Sequence, residues 1–131
     1  VQPTLSTSAD GRTAVLRCHG DVDLAARVEL AASLAELALE EATRLVVDLT
    51  GTTFLDVGSV GVLEDFAGSL DDDRLLVLAC PPGIVRRVLA LTDFDQSYRV
   101  VPTLGDALTG SGPGPGDPSA WRGPSGVRPS R

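Results

Sequence analysis

Lysine and methionine are absent from this chain, histidine and tryptophan occur once each, and aromatic residues make up only 4% of it. Each scarcity excludes something. All 11 basic residues are arginines, set against 18 acidic ones, giving a net charge of -7 and a pI near 4.5. That balance argues against gripping nucleic acid through a basic face, because such affinity rests on neutralising phosphates. The arginine-only usage fits a base-composition bias and carries no mechanism. A single histidine leaves a metal site short of ligands, and the two cysteines, Cys18 and Cys80, lack the local spacings of a small disulfide scaffold. Each sits in an apolar run, as buried free thiols do, and a reducing cytoplasm is the expected compartment. No apolar run approaches the roughly 20 residues of a membrane span, and no signal peptide opens the chain. The missing methionine, at position 1 as elsewhere, reads as the mark of a processed or trimmed product.

At 131 residues and 43% apolar content, one compact domain is the expectation. It is predicted to span residues 3–109. From Gly110 onward the composition turns to Gly, Pro and Ser, and residues 110–131 are expected to form a disordered tail. Three arginines and one aspartate give that tail a charge of +2, which leaves -9 for the residues before it. Its Trp121 reads as an ordinary tail residue rather than a partner anchor.

The folded part alternates between two periods. A first strand near Pro3 to Thr7 and a second over Thr13 to Gly20 flank a hairpin turn at Asp10-Gly11. Leu24 to Glu41 carries apolar residues (Ala25, Val28, Leu30, Ala31, Leu34, Leu37, Ala38) three and four apart, a helix with one apolar stripe. Arg44 to Thr50 is a continuous apolar strand, followed by a turn and a helix over Ser59 to Leu70 that the run Asp71-Asp72-Asp73 ends. Leu75 to Cys80 is another buried strand, stopped by Pro81-Pro82, whose rings suit the first turn of a helix over Gly83 to Leu91. Tyr98 to Val101 is a last strand, and Thr103 caps a final helix through Leu108. The order β-β-α-β-α-β-α-β-α predicts an α/β fold: a mixed, largely parallel sheet with about four helices packed on it.

The most informative junction is Leu45-Val46-Val47-Asp48-Leu49-Thr50 running through Gly51-Thr52-Thr53-Phe54-Leu55-Asp56 into Val57-Gly58-Ser59-Val60-Gly61-Val62-Leu63. A strand end leading into a helix start presents unpaired N–H groups and a positive dipole end, suited to an anion or a partner loop. Asp23 and Asp56 read as helix-opening residues whose charge faces a partner, not as an acid–base pair, since no substrate-positioning group accompanies them. His19 reads as structural. Gly58-Ser59-Val60-Gly61 lacks the lysine of a phosphate-cradling loop, and Asp71-Asp72-Asp73 reads as a solvated loop.

Taken in order, these segments resemble the STAS domain family, best known from bacterial anti-sigma factor antagonists. The resemblance runs from Pro3 to about Leu108. It rests on Gly20-Asp21-Val22-Asp23 closing the second strand, Val46-Val47-Asp48-Leu49, Phe54-Leu55-Asp56-Val57-Gly58-Ser59-Val60-Gly61-Val62-Leu63, Pro82 to Phe94, and Thr103-Leu104-Gly105-Asp106-Ala107-Leu108. It implies a non-enzymatic binding domain without cofactor or metal, docking an anti-sigma factor or a histidine-kinase-like ATPase domain. The implied docking residues are Asp21, Asp23, Asp56, Val57, Gly58, Ser59 and Val60. The family's phosphoacceptor serine is the first residue after Phe-x-Asp, and here that place holds Val57, so the resemblance implies regulation without phosphorylation. Ser59 is a displaced candidate phosphosite, weighed against the simpler reading that it caps the helix; the cap is preferred, and Thr52 and Thr53 are weaker candidates. The alternatives are a scaffold or sensor-output domain of a larger protein, or a STAS domain that binds a nucleotide or lipid at the helix start.

Overall fold

The computed structural model describes residues 3–109, so the expectations for residues 110–131 lie outside the described residues. Strands β1 (Thr4–Thr7), β2 (Thr13–Val22), β3 (Arg44–Leu55), β4 (Leu75–Ala79) and β5 (Arg99–Val101) form one sheet in sequence order. β1 pairs with β2 antiparallel, and every other pairing is parallel. The helices are α1 (Arg27–Leu39), preceded by a 3-10 turn at Leu24–Ala26, then α2 (Val57–Gly68), α3 (Ile84–Leu91), α4 (Phe94–Ser97) and α5 (Leu104–Thr109). The expected α/β class, sheet composition and element order therefore hold, with one short helix, α4, added.

Parallel neighbours require crossovers, and crossovers that all step in the same direction lay their helices on the same face of the sheet. The alternation of β3 follows from this. Leu45, Val47 and Leu49 point into the larger core with Leu30, Leu34, Leu63, Leu89 and Phe94, whereas Val46 joins Val15, Val77, Val101 and Ala107 on the opposite face, beneath α5. Arg44 donates to the Ala107 carbonyl at 3.1 Å and ties the end of α5 to the starting edge of β3. At the same edge Arg74 donates to the carbonyls of Ala38, Glu40 and Ala42 at 2.6–3.2 Å, satisfying the end of α1 and the loop after it.

Several local expectations need correction. β3 does not stop at Thr50 but runs to Leu55, because Gly51, Thr52 and Phe54 pair with His19, Gly20 and Asp21 of β2. Two register shifts, each adding a residue on β3, accommodate this; Gly20, with φ of 78°, takes the backbone conformation that favours glycine beside the second. Gly20-Asp21-Val22 thus forms the paired end of β2, opposite the bulged part of β3. The first hairpin is wider than a two-residue turn, with Asp10 accepting from the Ser8 hydroxyl at 2.6 Å and the Arg12 N–H at 3.0 Å. Of the α1 stripe, Leu30, Leu34 and Leu37 are buried, but Val28 is 79% exposed and Ala25 and Ala31 also face solvent. Pro81 and Pro82 end β4 yet lie ahead of α3, whose N-cap is Gly83. Thr103 does cap α5, accepting from the Asp106 N–H at 3.0 Å.

Candidate functional site

The paired ends of β2 and β3 assemble the site. Val22 stands opposite Leu55, and the Asp56 N–H donates to the Val22 carbonyl at 3.3 Å, so Asp21, Asp23 and Asp56 emerge at one edge of the sheet. Asp21 is exposed and accepts from the Thr53 hydroxyl at 2.6 Å. Asp23 is also exposed and opens the 3-10 turn, accepting from the Ala26 N–H at 3.2 Å.

Asp56 is the N-cap of α2. One carboxylate oxygen accepts from the Ser59 N–H at 2.8 Å, and the other pairs with Arg27 at 2.9 Å. Hydrogen bonding from Ser59, followed by the Arg27 guanidinium, holds the Asp56 carboxyl below the usual carboxylate range. The expectation that Ser59 is itself the cap is therefore corrected: Ser59 is the residue being capped. Its side chain is fully buried, with its hydroxyl 3.4 Å from the Val22 carbonyl. Val60 is buried as well, whereas Val57 is 67% exposed and Gly58 is half-buried. Of the seven residues named from sequence, Asp21, Asp23, Asp56, Val57 and Gly58 thus come to one surface and the other two turn inward.

Arg27 is the residue that sequence reasoning missed. Its guanidinium lies over the Gly58 backbone so closely that a Cβ there would stand 2.1 Å from Nη2. The signal was present: Arg27 is the only cation between Asp21 and Arg44, and a part-buried guanidinium wants a charged partner. Leu24 and Val28 flank it and are 70% and 79% exposed, so the rim of the site on the α1 side is apolar. Phe54 adds a half-exposed ring at the end of β3.

Elsewhere, His19 is exposed beside Gly51, where a Cβ would meet its ring at 2.5 Å. Cys18 and Cys80 are buried and unpaired with each other, and burial pushes their thiols up to about 12 and about 11. Among the described residues no group of three or more His, Cys, Asp or Glu is placed to hold a metal ion, and no helix is long and apolar enough to cross a membrane.

The model of the STAS domain matches residues 4–107. The chain belongs to the STAS domain family. It is 30% identical over 109 residues to the anti-sigma-F factor antagonist RsfB of Mycobacterium tuberculosis, covering 82% of this chain and 88% of that protein. A STAS-domain containing protein of Pseudomonas aeruginosa is 30% identical over 100 residues, covering 74% of this chain and 96% of that protein. Among solved structures, an anti-sigma factor antagonist from Mycobacterium paratuberculosis superposes with a TM-score of 0.77 at 22% identity, over 82% of this chain and 91% of that one. The unphosphorylated antagonist SpoIIAA superposes at 0.61 with 17% identity, over 82% and 94%. At such identities the structures speak for the fold. In this STAS domain the carboxylates of Asp21, Asp23 and Asp56 and the exposed apolar side chains of Leu24, Val28, Phe54 and Val57 stand around the start of α2.

Proposed function

We propose that this STAS domain is a non-enzymatic regulator that binds an anti-sigma factor, or a related kinase-like ATPase domain, through the start of α2, in a complex that phosphorylation does not control. The observation that carries the reading is the side chain at position 57. Val57 has no hydroxyl, sits at the exposed start of α2, and occupies the place that the family resemblance gives to the phosphoacceptor. The nearest following serine, Ser59, is fully buried and faces the Val22 carbonyl. A phosphoryl group at position 57 would add roughly -1.5 to -2 charges beside Asp56 and Asp23 and repel an acidic partner or reshape the contact. With valine there, the face keeps one state. Leu24, Val28 and Val57 offer apolar contacts in its place.

The test is to mix the domain with its cognate anti-sigma factor, a cognate kinase and ATP, and to follow both intact mass and complex formation. The wild type is expected to gain no phosphate and to stay bound. Val57→Ser is expected to become a substrate and to be released on modification. Phosphate on the wild-type domain, with loss of its complex, would refute the proposal.

A further inference from the structure

Between α1 and α2, on the side away from the sheet, lies a groove of about 490 Å³ lined by Ala31, Leu34, Ala35, Ala38, Val62 and Phe66. Asp65 and Ser69 stand on its α2 side. The volume falls in the range of sites that accept a large side chain or small ligand. The alanines keep it open, and among its lining residues Asp65 alone is charged. We propose that this groove is the intramolecular docking site of the C-terminal segment of the same chain, with Trp121 as the anchor and Arg122 facing Asp65.

Three observations select that occupant. The first is chemical. Trp121 is the only tryptophan in the chain and the only aromatic residue after Tyr98, and a cation follows it directly. An indole that buries on the order of 150–250 Å² suits an apolar slot whose one charge is a carboxylate. The second is electrostatic: residues 110–131 carry +2 and the residues before them -9, so the two attract.

The third is reach. The Arg44 contact to the Ala107 carbonyl places the last turn of α5 at the starting edge of β3. The groove lies along the C-terminal parts of α1 and α2 and reaches toward that same edge at Ala38, whose carbonyl Arg74 binds together with those of Glu40 and Ala42, just before β3. A path from α5 around the edge to the groove crosses the sheet and one helical layer, each about 10 Å thick. Residues 110–120 extended span roughly 35 Å, which covers that path.

A single tryptophan makes the test direct. In the full chain, Trp121 emission is expected at shorter wavelength than in the same chain in denaturant, with acrylamide quenching reduced several-fold. Ala35→Arg, which places bulk and a repelling cation on an exposed helical position, is expected to abolish both effects while circular dichroism and the unfolding midpoint stay close to wild type. Asp65→Asn is expected to weaken them, and added salt to do the same. The proposal is overturned by solvent-like emission in the wild-type chain, or by emission unchanged in Ala35→Arg. It is equally overturned by protection that appears only as protein concentration rises with a dimer mass, which would make a second copy the occupant.

Discussion

Replacing Gly58 with alanine separates two effects that the structure sets against each other. The new Cβ would stand 2.1, 2.2 and 2.6 Å from Nη2, Cζ and Nη1 of Arg27, so the guanidinium has to leave its position over the helix start. Its departure removes the 2.9 Å pair with Asp56. Alanine for glycine in a helix is worth up to about 1 kcal/mol, somewhat less in the first turn. Against this, the Arg27 and Asp56 side chains keep 32% and 24% exposure, and a partly solvated pair of this kind contributes about 0.2–1 kcal/mol, with a little more from the packed arginine stem. The two terms nearly cancel, so Gly58→Ala alone should leave stability almost unchanged. In an Arg27→Ala background nothing remains to be displaced, and the same substitution should stabilise by about 0.5–1 kcal/mol. Urea unfolding of the wild type, both single variants and the double variant gives the coupling directly, expected at about 0.5–1 kcal/mol. An equal gain from Gly58→Ala with and without Arg27 would show that the guanidinium does not rest on Gly58.

Asp56→Ala removes the cap of α2 and should cost about 1 kcal/mol at neutral pH. Because the folded state depresses the Asp56 carboxyl below its ordinary 3.8, this contribution is present above that value and lost as the pH falls through the folded-state value; the stability difference between wild type and Asp56→Ala should therefore shrink in acid urea titrations below 3.8. Arg74→Ala leaves the carbonyls of Ala38, Glu40 and Ala42 without their donor and should cost about 1–3 kcal/mol in the same assay, with faster amide exchange at the end of α1.

The element order and sheet class were legible because apolar periods of two and near 3.6 alternate cleanly through the chain, and cap residues such as Asp23 and Thr103 mark starts correctly. The course of Gly51, Thr52 and Thr53 was not legible. Glycine and two threonines look like a turn, yet pairing with β2 holds them in the sheet, and the Thr52 hydroxyl bonds the Cys18 carbonyl at 2.8 Å. Each bulge also reverses which face the following residues present, so inward and outward positions after Asp48 cannot be counted from the strand's start. Val28 misled for a different reason. It fits the helical period, but α1 carries apolar residues on its outer side as well, and only the neighbouring sheet decides which side is covered. Arg27 and Gly58 lie far apart in sequence, and their contact depends on the packing of α1 beside α2.

That packing bears on how freely position 57 varies. The start of α2 is fixed by the backbone bond from Asp56 to the Val22 carbonyl, by the Asp56 cap on the Ser59 N–H, and by the Arg27 ion pair. None of these uses the side chain of Val57, which is 67% exposed and does not belong to the buried core. A valine-to-serine exchange at a helix start changes intrinsic propensity by only a few tenths of a kcal/mol. Val57→Ser should therefore fold with wild-type stability, and any change in its modification or its binding reports the chemistry of the added hydroxyl rather than a disturbed scaffold. Ser59→Ala is the opposite case. The alanine keeps the backbone N–H that Asp56 caps and loses only a buried hydroxyl at 3.4 Å from its acceptor, so its effect falls on packing inside the domain and leaves the exposed edge of Asp21, Asp23 and Val57 in place.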